Sequence, residues 1–265
     1  MLCYTTETAM MFSAYILPIL YSGLFGPVPV HAQFVVPLQT ATEIQYVEHG
    51  SREKPQIALT FDADMTERMA TALKSGKIKS LYDSQIIEIL IKEKVPATIF
   101  LTGMWAEMYP DVSRKLAEND LFEIGNHSYD HSAFTTSCFH LKSTNDKEGQ
   151  ITKSQEAIKT ATGITPTLFR FPGGCFEQQD LDAVAKQKLT TVGWDIVSGD
   201  ASTKDPKVII DHVIEKAENG SIIVMHLSGG PNAPATAEAL KIIIPALRKK
   251  GFSFVKVSEF LDHSR

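Results

Sequence analysis

The chain has 265 residues, 43% of them hydrophobic and 22% charged, with 16 Gly and 13 Pro. These values exclude a disordered, collagen-like or low-complexity polymer and suit one large α/β domain. A formal net charge of −5 leaves no basic footprint for nucleic acid.

Residues 1–32 stand apart from the fold. Ala9 to Gln33 carries no Lys, Arg, Asp or Glu, and Val30-His31-Ala32 sets small residues where a secretory cleavage site wants them. The n-region holds Glu7 and no basic residue, so an uncleaved anchor is the competing reading, and only then would a membrane be a partner. Pro18, Pro27 and Pro29 interrupt a continuous helix and favour a cleaved signal peptide. Either way the protein is expected to be exported, to the periplasm or beyond the cell.

Residues 33–54 read as an extended, Pro-interrupted lead-in, and 55–262 as the catalytic domain. Ile57–Phe61 is the first buried strand, ending in Asp62-Ala63-Asp64. Asp64–Ser80 reads as a loop over one end. Tyr82–Lys94 places Ile86, Ile87, Leu90 and Ile91 at helical spacing, and Val95-Pro96 ends it. Ala97–Leu101 is a second strand, 105–119 a helix, and Phe122–Gly125 a third strand with His127 just beyond. Lys147–Thr162 is a helix closed by Gly163, and Leu168–Phe171 a strand halted by Pro172-Gly173-Gly174. Helix 178–187, strand 190–197, helix 206–218, strand 221–225, helix 235–250 and strand 252–257 complete the alternation. That alternation predicts a parallel sheet or barrel.

Chemistry-bearing residues fall at the predicted strand ends: Asp62 and Asp64, His127-Ser128-Tyr129-Asp130-His131, Arg170 through Gly174, Asp195 with Asp200, and His226. In a parallel barrel all strand C-termini face one rim, so these groups converge whatever their separation in sequence. A helical turn starting at His127 would bring His127 and His131 to one face, where two imidazoles and a carboxylate leave Zn2+ one open place. A cation so held acidifies water and polarises a carbonyl, a neighbouring carboxylate takes the proton, and an imidazole protonates the leaving group. The set points to metal-assisted hydrolysis of an amide or ester.

Thr60-Phe61-Asp62-Ala63-Asp64, His127-Ser128-x-x-His131, Arg170-x-Pro172-Gly173, Ser198-Gly199-Asp200 and His226, in this order, resemble the NodB-homology polysaccharide deacetylases, carbohydrate esterase family four. The resemblance covers roughly residues 55–260. It implies a distorted (β/α) barrel with fewer than eight complete strands and removal of acetyl groups from N-acetylated glycans of the peptidoglycan or chitooligosaccharide type. It also implies a divalent metal, usually zinc. By the same resemblance Asp62 is the catalytic base, held by Arg170; His127 and His131 are metal ligands. Gly173 gives an oxyanion N–H, and Asp200 orients His226, the general acid. On the residues alone Asp195 rivals Asp200 for that last role.

Three positions depart from the family pattern. Ala63 stands where the family places a metal-binding Asp, so either Asp64 reaches the metal from one residue later or that ligand is lost and water fills in. Gly173 and Ala201 replace aromatics. These departures raise two alternatives: a carbohydrate-binding relative that has lost turnover, or a hydrolase of small amides. Cys138 and Cys175 lie on loops expected at the same rim and suit a disulfide in an oxidising compartment.

Overall fold

The computed structural model describes residues 46–261. The expected leader and residues 33–45 of the lead-in lie outside the described residues. In chain order the elements are β1 (Tyr46–Val47), β2 (Gln56–Ala63), α1 (Glu67–Lys74), α2 (Ser84–Lys92), β3 (Ala97–Leu101), α3 (Gly103–Met108), α4 (Pro110–Ala117), β4 (Phe122–Asn126) and α5 (Lys147–Thr162). Then follow β5 (Leu168–Phe169), α6 (Gln178–Lys186), β6 (Thr190–Val192), β7 (Ile196–Val197), α7 (Pro206–Lys216), β8 (Ile222–His226), α8 (Thr236–Lys249), β9 (Ser253–Phe254) and α9 (Ser258–Leu261). Among the described residues no helix is long and apolar enough to cross a membrane.

The strands pair in parallel in the order β1-β6-β5-β4-β3-β2-β8-β7, with β9 beside the start of β2. This curled sheet is a distorted (β/α) barrel that does not close. β2 lies at its centre because Ile57, Leu59, Phe61 and Ala63 pack into the main core while Ala58 joins a second apolar cluster on the other side. A strand buried on both faces is largely apolar, and from Ile57 to Phe61 the one polar side chain, Thr60, is buried with its hydroxyl hydrogen-bonded. Register places Asp62 opposite His226 on β8 and Phe100 on β3; His127 follows β4 directly, and Arg170 follows β5. The pairing therefore gathers these side chains at one end of the sheet.

Four local expectations are corrected. Residues 64–80 are not all loop: Thr66 caps α1 by accepting from the Met69 N–H, and the helix buries Ala70. Segment 105–119 is two helices. Pro110 cannot donate a backbone bond and starts α4 at its first position, while Tyr109 leaves helical geometry. The expected strand 190–197 is split between opposite sides of the sheet: β6 pairs with β5 and β1, whereas β7 pairs with β8. Gly193-Trp194-Asp195 crosses between them, the Gly193 N–H donating to Val47 O and the Asp195 N–H to Ile222 O. Finally, His127–His131 forms no helical turn.

Close packing beneath the site depends on Gly125 in β4, where a Cβ would overlap the Phe100 ring. Gly125→Ala is expected to cost about 1–3 kcal/mol through overpacking. A urea denaturation midpoint measured against wild type checks this.

Candidate active site

Arg170 is fully buried, and its guanidinium lies 4.1 Å from the Phe100 ring centroid and 5.4 Å from that of Trp194. Nη1 donates to Asp62 Oδ1 and Thr60 Oγ1, both at 2.8 Å; Nη2 donates to Gly193 O and Nε to Val192 O. Thr60 in turn donates to Ile223 O. A buried cation needs acceptors for its donors and a nearby anion, because desolvation otherwise opposes its charge. The price of that burial falls on Arg170 itself: desolvation lowers its pKa from the ordinary value, against the pull of Asp62.

The segment after β4 is an irregular turn in which Ser128 and His131 adopt positive φ (65° and 60°). Asn126 Oδ1 accepts from the Ser128 N–H, and Gln150 Oε1 from the N–Hs of Tyr129 and Asp130. Gly103 and Met104, opening α3, donate to the carbonyls of Ser128 and Tyr129. This clamp, rather than helical spacing, brings the two imidazoles together, with ring centroids 5.0 Å apart. Asp130 caps the turn at the Ser132 N–H.

His127 Nδ1 lies 2.9 Å from Arg170 O. A carbonyl only accepts, so Nδ1 carries a proton, and Nε2 is the nitrogen left to meet a cation. That Nε2 is 3.5 Å from Asp64 Oδ1 and 3.6 Å from Asp62 Oδ2, while His131 Nε2 is 3.4 Å from Asp64 Oδ1. Asp64 Oδ1 is buried without a hydrogen-bond partner. One donor atom from each of Asp64, His127 and His131 lies within 4.8 Å of the others. An orphaned carboxylate oxygen facing two imidazole nitrogens fits a divalent cation, and this N, N, O donor set is one that zinc accepts. Burial alone would raise the Asp64 carboxyl; the charge of His131 and the His127 contact, with His226 behind them, hold it well below the usual carboxylate range. Burial pushes His131 below its ordinary value, against the pull of Asp64.

On the other side, His226 Nδ1 is 2.8 Å from Asp200 Oδ1, and its Nε2 lies 3.8 Å from Asp64 Oδ2. Asp200 Oδ2 also accepts from the His226 N–H and the Thr236 hydroxyl, both within hydrogen-bond range. Asp195 lies elsewhere, bound to Arg52, Ser221 and the Ile222 N–H. Burial alone would lower His226; the hydrogen bond and charge of Asp200, helped by Asp64 and Asp62, push it up to about 10.

Cys138 and Cys175 form a disulfide tying the loop after His131 to the loop after Arg170. Between them sits Gly173, with φ +66°, where a Cβ would meet Cys138 Sγ at 2.7 Å. A groove of about 410 Å³ adjoins this loop, lined in part by Thr66, Glu67, His131, His140 and Leu141. A larger depression of about 830 Å³ between α3, α4 and α5 is lined by Tyr129 but by none of the expected catalytic or metal-binding residues. Asn126, Gln150 and Thr236 were not anticipated. Asn126 sits beside His127 in sequence, a usable signal; nothing local marks the other two.

The sequence matches the family model described as polysaccharide deacetylase over residues 49–192. An uncharacterized protein of Bacillus subtilis is 33% identical over 184 residues, 69% of this chain and 54% of that protein, so the chain spans about half of that relative's length. A crystal structure of a peptidoglycan N-acetylglucosamine deacetylase superposes with a TM-score of 0.69 at 26% identity, over 81% of this chain and 92% of the other. A carbohydrate esterase family pseudoenzyme from Bacillus anthracis superposes with a TM-score of 0.67 at 26% identity, over 83% and 69%.

Two measurements check this geometry. Arg170→Met leaves Asp62 buried without its cation and is expected to cost about 3–5 kcal/mol in denaturation. In chelator-treated protein, the raised His226 stabilises the fold in full below its ordinary value of 6.5 and loses that contribution as pH rises towards 10. The thermal-midpoint gap between wild type and His226→Gln should therefore be wider at pH 6 than at pH 10.

Proposed function

The chain belongs to the polysaccharide deacetylase family, and from that premise we propose that it is a metal-dependent hydrolase removing N-acetyl groups from amino-sugar glycans of the peptidoglycan or chitooligosaccharide type. The observation that carries this reading is one cleft holding three things together. They are an orphaned Asp64 oxygen facing two imidazoles, a carboxylate clamped by Arg170, and an imidazole aligned by Asp200.

Asp64, His127 and His131 would hold the divalent cation, zinc by preference of the donor set. Bound there, it supplies Lewis acidity that polarises the amide carbonyl and acidifies a water. Asp62 Oδ1 is fixed on Arg170, which leaves Oδ2 beside the ligand set to take the water's proton. The Gly173 N–H is the proposed oxyanion donor. His226, its Nδ1 committed to Asp200, uses Nε2 to protonate the departing sugar amine.

A glycan-binding relative without turnover is the alternative that Ala63 and the likeness to a pseudoenzyme raise. Against it stands Asp64, which takes part in the triad although Ala63 is buried in β2. A small-amide hydrolase is the other alternative, and acetate release from polymer separates it. We also propose export; the Cys138–Cys175 disulfide supports an oxidising compartment.

The test is acetate release from N-acetylglucosamine oligomers and peptidoglycan fragments by zinc-loaded protein. Asp62→Asn is expected to lose about 10²–10⁴-fold in rate while keeping its zinc. Asp64→Ala is expected to lose the zinc itself, read by metal content after dialysis. Full activity in Asp62→Asn would remove it as the base.

A further inference from the structure

Phe139 is 84% exposed, the most exposed large apolar side chain among the described residues. Its backbone is left-handed, with φ +50°. A bulky residue at positive φ is strained, and such strain collects where a side chain must be presented rather than buried. Neither exposure nor strain helps the fold here, so both ask for another occupant of the ring's free face.

Its surroundings say where that occupant lies. Phe139 follows Cys138 directly, so the disulfide to Cys175 fixes the base of the loop. The ring lies against the bare backbone of Gly173: a Cβ there would come within 3.3 Å of Phe139 Cδ2 and 3.1 Å of Leu141 Cδ1. A side chain at 173 is thus incompatible with the loop as packed. The next two residues, His140 and Leu141, line the 410 Å³ groove that also contains His131, one of the three residues facing the cation site. The ring therefore lies next to the segment that lines the groove and against the loop that follows Arg170.

We propose that Phe139 is a platform on which the apolar face of a substrate sugar ring stacks, positioning its N-acetyl group over the Asp64, His127 and His131 centre. The inference rests on the deacetylase reading above and names the residue that grips the glycan. A pyranose ring offers C–H groups on one face and hydroxyls around its edge. It pairs with an exposed aromatic face while the hydroxyls meet the polar lining that Glu67 and His140 supply. The disulfide ties down the backbone beside Phe139 before binding, which lowers the ordering cost of the complex.

The experiment compares wild type, Phe139→Ala and Phe139→Trp, zinc-loaded, on an N-acetylglucosamine tetramer. KM and kcat come from acetate release, and the tetramer Kd is measured in an Asp62→Asn background. Phe139→Ala is expected to raise KM and Kd roughly 3- to 10-fold with kcat nearly unchanged, and Phe139→Trp to restore both. Because the side chain is exposed, the Ala variant keeps its thermal midpoint, which separates lost grip from lost fold. Unchanged KM and Kd in Phe139→Ala, with an active wild type, overturn the platform alone. A wild type that neither releases acetate nor binds the tetramer overturns the deacetylase reading and the platform with it.

Discussion

A guanidinium with no access to water lies at the centre of this fold, and its needs dictate much of what surrounds it. Arg170 reaches across the sheet from β5 to acceptors on β2 and to two carbonyls around the end of β6, with aromatic rings of Phe100 and Trp194 near it. Such a group is tolerable only if its donors find oxygens and one of those oxygens is charged. Asp62 supplies the charge. The carboxylate is thereby fixed in position and kept from wandering to the imidazoles nearby, so a structural requirement and a chemical one are met by the same contact.

The same arginine also reaches the histidines, through its main chain. Its carbonyl accepts a hydrogen bond from His127 Nδ1–H, which turns the other ring nitrogen towards Asp64. On the far side His226 is settled in the same way by Asp200, which Thr236 and the His226 N–H hold in place. Two imidazoles are thus oriented from outside the cleft by groups that never enter it. Asp64 is the residue common to both halves, close to His127 and His131 through one oxygen and to His226 through the other.

The strands and most helices were legible because burial on both faces and amphipathic spacing leave plain marks in a sequence. So were the residues at the strand ends, because a parallel sheet carries them to one rim. Less visible was anything set by contacts distant in sequence. Residues 190–197 read as one β-prone run, yet Thr190–Val192 and Ile196–Val197 find different partners on opposite sides of the sheet. His127 and His131 invite a helix by their spacing, but Asn126 and Gln150 draw the intervening N–Hs into a different turn. The short α1 is easy to miss because it spans only eight residues, although Met69, Ala70 and Leu73 share its apolar face. Ala63 looked like a defect in the motif. In the pleat it is a buried strand residue, and Asp64, just past the strand, is free to bend towards the imidazoles.

The register of β2 against β8 has a consequence for how the chain is made. Leu59, Phe61 and Asp62 pair with Ile223, Met225 and His226, although most of the domain is synthesised between them. β3 can cover one side of β2 almost at once, but the other side stays an open apolar edge until the last quarter of the chain emerges. Such an edge invites pairing with other chains. A nascent chain is thus vulnerable at β2, and arrival of His226 both seals that edge and completes the cluster of side chains at its end.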